Sequence, residues 1–162
     1  MTRRVLLALV VAALGAAGCG EDDPFGPVDF ETADDRTATL RALDSAQRRW
    51  TALGLRDYQV DFQRSCFCLP RFPVRLTVHL GRVVGVVRRD TGQSVPEAEW
   101  ESYFSVERLF TDLHLAARTG AYEVRVTFDP EYGYPRDVYI DQDRQVADEE
   151  QWYELRNLTP LP

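Results

Sequence analysis

Apolar residues recur every three or four positions over residues 40–53, with polar residues between them. The apolar positions are Leu40, Leu43, Ala46, Trp50 and Leu53. On a helix this spacing places them along one face, and Gly54, which follows directly, is a typical C-cap. The pattern predicts an amphipathic helix that ends at Gly54.

Alternation of apolar and polar residues replaces this spacing farther along the chain. Residues 58–62 and 74–80 alternate, and a mostly apolar run over residues 82–87 returns after Gly81. A period of two is typical of a strand with one buried face. The three segments therefore predict an antiparallel meander.

The second half of the chain repeats this order of patterns. Ser94 and Glu97 have the spacing of a capping box, which predicts that a second helix begins there. The apolar face of that helix consists of Val106, Leu109, Phe110, Leu113 and Ala117. Residues 122–128, 138–140 and 152–158 then predict three further strands.

The predicted element order is αβββαβββ. Runs of antiparallel strands separated by helices are typical of the α+β class. We therefore predict an α+β fold in which an antiparallel sheet of about five to six strands carries two helices on one face.

Residues 1–18 have the features of a secretory signal. Arg3 and Arg4 precede an uncharged, mostly aliphatic run, and small residues follow before Cys19. The uncharged run over residues 5–18 has 14 residues, fewer than the roughly 20 that span a bilayer. The chain is therefore predicted to be exported.

The segment Ala16-Ala17-Gly18 before Cys19 resembles the lipobox of bacterial lipoproteins. The resemblance implies cleavage before Cys19, diacylglycerol on its thiol and a fatty acid such as palmitate on its amine. Because Ala16 replaces the commoner leucine, ordinary signal cleavage remains the alternative. Several acyl chains would hold the protein on a membrane almost permanently.

An acidic segment links the predicted anchor to the folded part. Residues 20–35 contain seven acidic residues, no basic residue, two prolines and two glycines. Such a composition has little apolar surface to bury and stays solvated. We predict that residues 19–35 form a flexible tether and that residues 36–162 form a single domain.

The charged residues exclude several kinds of chemistry. The 19 basic residues are all arginine, so the chain has neither a P-loop nor a lysine nucleophile. The net charge of -7 disfavours nucleic acid as a partner. His79 and His114 lie far apart in sequence, and no Gly-x-Ser-x-Gly motif is present. We predict a protein without catalytic activity or cofactor.

Cys66 and Cys68 are the thiols left after lipidation of Cys19. In an oxidising compartment we expect them to form a disulfide with each other. A disulfide across so few residues is strained and therefore more reducible, so a thiol-disulfide redox site is an alternative function. Reduced thiols or metal ligation are further alternatives.

A loop with two tyrosines joins two of the predicted strands. Tyr132, Gly133, Tyr134 and Pro135 form a candidate binding surface, because flat amphipathic rings give contact area at low entropic cost. The other interpretation is a rigid hairpin connection whose tyrosines cover the edge of the sheet.

Acidic residues cluster late in the chain. Asp141, Asp143, Asp148 and Glu149 are weak calcium candidates, because calcium takes six to eight oxygen ligands. Val146 stands where an EF-hand loop has its glycine, so a solvated acidic loop is the favoured interpretation.

Several motifs occur together in one order along the chain. They are Trp50, Tyr58-x-Val60-x-Phe62, Cys66-Phe67-Cys68, Val78-x-Leu80-Gly81-x-Val83, Asp129-Pro130-x-Tyr132-Gly133-Tyr134-Pro135, Ile140-Asp141 and Asp148-Glu149-Glu150. This order resembles an uncharacterised family of bacterial exported, lipoprotein-type domains of unknown function. The resemblance covers about residues 36–158 and implies location and fold, but it supplies no catalytic residues.

Together these features predict a lipid-anchored lipoprotein of the cell envelope that faces the periplasm or the exterior. Its partners would be the membrane, through the lipid, and an unknown envelope protein or peptide. A thiol-disulfide redox protein and a calcium-dependent binding module are the alternatives.

Overall fold

The computed structural model describes residues 33–66 and 72–162. Its elements are α1 (Ala33–Ala52), β1 (Tyr58–Cys66), β2 (Val74–His79), β3 (Arg82–Arg88), a 3₁₀ helix (Glu97–Ser102), α2 (Val106–Thr119), β4 (Glu123–Phe128), β5 (Pro135–Asp141) and β6 (Gln151–Pro160). The predicted signal, Cys19, most of the predicted tether and Cys68 lie outside the described residues. Among the described helices none is long and apolar enough to cross a membrane.

The six strands form one antiparallel sheet in the order β3-β2-β1-β6-β5-β4. Each half of the sheet is a meander, and the halves join where β1 pairs with β6, with Phe62 opposite Leu155. The predicted α+β fold is confirmed, with the 3₁₀ helix added between β3 and α2.

The helices cover one face of the sheet. Alternate strand residues such as Val60, Phe62 and Leu155 are fully buried there, together with Leu43 from α1 and Leu113 from α2. Removal of this apolar surface from water supplies most of the stability of such a domain. The strand residues between the buried positions point to the opposite face, which we call the open face.

Two helix boundaries differ from the sequence prediction. α1 begins at Ala33, so the last three residues of the predicted tether belong to the helix. α2 begins at Val106, where Ser105 Oγ accepts a hydrogen bond from Arg108 N at 3.3 Å. Ser94 instead forms an isolated bridge with Val87. The 3₁₀ helix after it buries no residue, so no apolar face stabilised an α-helix there.

Candidate binding surface

Two aromatic side chains lie next to each other on the open face. Tyr139 of β5 is the register partner of Trp152 of β6, and their ring centroids are 5.0 Å apart. Arg125 of β4 is the partner of Tyr139 on its other side, with its guanidinium carbon 4.3 Å from the Tyr139 ring centroid. Trp152 is 44% exposed. We call Tyr139 and Trp152 the aromatic pair.

The aromatic pair lies in a shallow groove of about 320 Å³ that crosses β4, β5 and β6. The side chains of the open face that line it are Arg125, Thr127, Asp137, Tyr139, Trp152 and Glu154. Rigid aromatic rings beside charged groups are typical of surfaces that bind peptides or small ligands. The groove is therefore the strongest candidate site on the open face.

The negative charge of Asp137, at one wall of the groove, is balanced by other groups of the protein. Arg156 Nη2 binds Asp137 Oδ1, and Thr127 Oγ1 donates to Asp137 Oδ2 at 2.8 Å. Burial would raise the pKa of Asp137, but the hydrogen bonds from Arg156 and Thr127 hold it below its ordinary value. This carboxylate is therefore held ionised as part of the structure.

A similar network occupies the other half of the open face. Arg75 Nε donates to Asp61 Oδ1 at 2.5 Å, and Asn157 Nδ2 donates to Asp61 Oδ2 at 2.9 Å. Arg89 lies 3.3 Å from the same carboxylate. Burial acts to raise the pKa of Asp61, yet these donors leave it lowered. This half of the face thus offers few unsatisfied charges to a partner.

Carboxylates without a close cation lie on both sides of the aromatic pair: Glu154 is opposite Asp137 in the register, and Asp141 follows Tyr139 by two residues on β5. Glu154 has a 58% exposed side chain, and its Oε2 is 3.9 Å from Arg156 Nη2, beyond hydrogen-bond distance. Asp141 Oδ1 is buried without a hydrogen-bond partner among the described residues. Burial, and then the charges of Glu149 and Glu150, raise the pKa of Asp141. A negative field therefore acts beside the aromatic pair.

A second groove, of about 340 Å³, lies between α2 and the start of β6. Its exposed apolar residue is Leu115, whereas Tyr153 on its floor is buried. Arg108 and Asp112 on its rim bind each other at 2.9 Å. Because the Tyr153 ring is buried and Arg108 and Asp112 are paired with each other, this groove offers a ligand less exposed aromatic surface and fewer free charges than the groove on the open face.

The predicted tyrosine surface folds against α1. Tyr134 is 3% exposed, and its ring lies 6.4 Å from that of Trp50. Gly133 has φ 78°, and a Cβ there would lie 3.2 Å from Ala46 O. Tyr132 is half-buried, and Pro135 begins β5. Tyr134 is therefore part of the core, and Tyr132 is the tyrosine of this loop that reaches solvent.

The two cysteines of the Cys-x-Cys motif are only partly placed. Cys66 is the last residue of β1, is half-buried and faces Gln151 of β6 in the register. Cys68 lies outside the described residues, so its pairing with Cys66 stays a prediction.

The calcium candidates share the connection between β5 and β6 without converging on one point. Asp143 N donates to Glu149 Oε1, and Asp143 Oδ1 accepts from Gln145 N at 2.9 Å. Asp148 stands in the left-handed region at φ 71°. Within residues 33–66 and 72–162, no three His, Cys, Asp or Glu side chains are arranged to hold a metal ion. The geometry gives the calcium hypothesis no support.

A hydrogen-bonded cluster that the sequence pattern missed joins α1, β1 and α2. The Glu107 carboxylate accepts from Trp50 Nε1 at 3.2 Å and from Tyr58 OH at 2.8 Å. Tyr58 OH in turn accepts from Val106 N at 2.8 Å. Burial and the Glu107 charge raise the pKa of Tyr58. Periodicity marks the two aromatic residues as apolar positions, but it carries no signal for the partners of their polar atoms.

Neither histidine lies at the groove. His79 Nδ1 is 2.6 Å from Asp57 Oδ1 on an exposed turn. His114 is buried between α2 and α1, and its Nε2 is 2.9 Å from Gln47 Oε1. Both positions fit structural roles.

Comparison with known proteins places the chain in a family. No curated protein and no solved structure matches it. The sequence model of a family of unknown function, DUF6174, matches residues 42–160, which is more than two thirds of the chain and includes both helices in whole or part and all six strands. The chain therefore belongs to this uncharacterised family, DUF6174.

Proposed function

We propose that the protein is a lipid-anchored domain of the cell envelope that holds an envelope polypeptide on the open face of its sheet and carries out no reaction. The observation that supports this most is the exposed aromatic pair in the groove of the open face. The solvated face of an antiparallel sheet normally carries polar residues. An exposed tryptophan stacked on a tyrosine there is typical of an interaction surface.

The polar groups around the groove support binding rather than reaction chemistry. Asp137 and Asp61 are held ionised by arginines, so neither is poised to exchange a proton near neutral pH. What the groove offers a partner is therefore aromatic contact area and charge.

Membrane attachment rests on the amino-terminal sequence. The signal-like residues 1–18 and the lipobox-like segment before Cys19 support it. In this proposal the lipid on Cys19 holds the protein at the membrane, and the acidic segment that follows lets the domain reach its partner.

The experiment is site-specific photo-cross-linking in cells. A benzophenone amino acid at Trp152 keeps a ring in the groove, and the same amino acid at Phe72 is the matched control, since these residues are 44% and 46% exposed. We expect a membrane-associated adduct of one defined mass from position 152 and none from position 72. Glu154→Arg should remove the adduct, whereas Glu101→Arg should leave it.

Three results would count against the proposal. Equal adducts from both positions, or none from position 152, would show that the open face does not hold a polypeptide. Cys19→Ser should move the protein and its adduct out of the membrane fraction, and unchanged partitioning would refute the lipid anchor.

A further inference from the structure

The two rings of the aromatic pair differ in what covers them. Arg125 lies over Tyr139 at 4.3 Å, so the chain itself places a cation on that ring. Among residues 33–66 and 72–162, no arginine lies over the ring of Trp152 in the same way. Tryptophan is the aromatic residue that attracts a cation most strongly. Trp152 therefore offers a cation site that the protein leaves open.

Carboxylates without close cations border this ring. Glu154 lies two residues beyond Trp152 on β6, on the same face, and Glu150 lies two residues before it. Asp141 and its register partner Glu123 lie in the row next to Tyr139 and Arg125. Burial, and then the charges of Asp141, Glu123 and Glu150, raise the pKa of Tyr139.

Around the aromatic pair, negative side chains outnumber the positive side chains that could balance them. Arg125 Nε binds Glu123 Oε1 at 2.9 Å and neutralises it. Asp141 and Glu150 have no ion pair to an arginine among the described residues, and Glu154 lies 3.9 Å from its nearest one. The intervening residues 142–149 add further negative charge, with three acids and one arginine. The surface around Trp152 therefore carries excess negative charge and is complementary to a positively charged group.

We propose that this groove binds an arginine or lysine side chain of an envelope polypeptide, with the cation over the Trp152 ring and paired with Glu154. The inference rests on the proposed function and specifies its partner as a basic segment.

The test uses the purified full-length protein in neutral detergent micelles and two capped pentapeptides. One is Gly-Gly-Arg-Gly-Gly, and the other replaces arginine by citrulline, which has the same shape without the charge. Nuclear magnetic resonance follows the backbone amide of Tyr139. We expect the arginine peptide to shift this signal saturably and the citrulline peptide to bind about 3- to 30-fold more weakly, as for the loss of one cation over a tryptophan. Added salt should weaken the binding of the arginine peptide, because it screens the attraction between the charges.

Matched variants locate the contact. Trp152→Ala should weaken the binding of the arginine peptide by about 3- to 30-fold, and Leu115→Ala, in the second groove, should not change its affinity. Glu154→Gln should lower the affinity for the arginine peptide about two- to fivefold, whereas Glu101→Gln, which removes the same charge at a distant position, should have no effect.

The inference is overturned if both peptides bind equally, if neither shifts the Tyr139 amide, or if Leu115→Ala matters as much as Trp152→Ala. If the cross-link from position 152 persists in cells in any of those cases, the open face still holds a polypeptide, and only the assignment of a basic side chain to the groove is refuted. If the cross-link is absent too, the proposed function fails with it.

Discussion

His114 shows how the position of a single residue sets a pH dependence. Burial lowers its pKa from the ordinary 6.5, Arg118 lowers it further, and Asp44 opposes them. The unfolded chain therefore takes up a proton on this residue at a higher pH than the folded protein does. Stability from this group is complete above about pH 6.5 and is lost as the pH falls below it.

We predict that the free energy of unfolding of the wild type falls from pH 7.5 to pH 5.5 more steeply than that of His114→Gln. Glutamine keeps a hydrogen-bonding group opposite Gln47 but takes up no proton. Urea denaturation at the two pH values measures the difference. Equal slopes in the wild type and His114→Gln would refute this account of His114.

Residue patterns predicted burial in the middle of the alternating runs, whereas Leu80 and Tyr122 at the ends of two of these runs are exposed. Trp152 and Tyr153 are adjacent aromatic residues on one strand, so either could face the core. The structure buries Tyr153 and exposes Trp152, a choice set by packing against Phe62 and Phe104 on the helix side. The exposed ring of the candidate site could therefore not be identified from the pattern alone.

Glu107 acts at the scale of elements, because its carboxylate connects α1, β1 and the first turn of α2. Without it, Trp50 Nε1 and Tyr58 OH lose their acceptor in a largely buried setting. We predict that Glu107→Ala lowers the free energy of unfolding by about 2 kcal/mol. Glu107→Gln, which retains an acceptor oxygen, should lose about half as much.

Chemical denaturation of both variants measures this prediction. Glu101→Ala, on the exposed 3₁₀ helix, is the matched control and should change stability by no more than about 0.5 kcal/mol. A loss for Glu107→Ala that is no larger than the control would mean that the cluster does not hold the elements together.

Element types were predictable where a long periodic face exists, and helix starts were not. The apolar face from Val106 to Ala117 predicted α2, but the capping-box spacing at Ser94 placed its start too early. A capping box needs an apolar turn after it to be stabilised by packing, but residues 97–102 contain no fully buried residue and only Trp100 among them packs against the core. The polar cluster at Glu107 could not be predicted from the sequence pattern for another reason, because its members come from three separate segments.

At the scale of the whole molecule, the predicted α+β fold is confirmed, while the location of the candidate site required the sheet order. β4, β5 and β6 bring Arg125, Tyr139 and Trp152 side by side, although they are spread over 28 positions of the chain. Local patterns do not encode which strands become neighbours. Of the acidic residues that the sequence suggested as calcium ligands, Asp141 lies two residues from Tyr139 on β5, beside the groove.

The central claim is that a polypeptide covers the open face in the cell envelope. Hydroxyl-radical footprinting of intact envelopes and of the purified protein compares the oxidation of Trp152 in the two settings, with Phe72 as the reference of similar exposure. We predict that Trp152 is protected in the envelope while Phe72 reacts equally in both. Equal oxidation of Trp152 in the envelope and in the purified protein would contradict the claim.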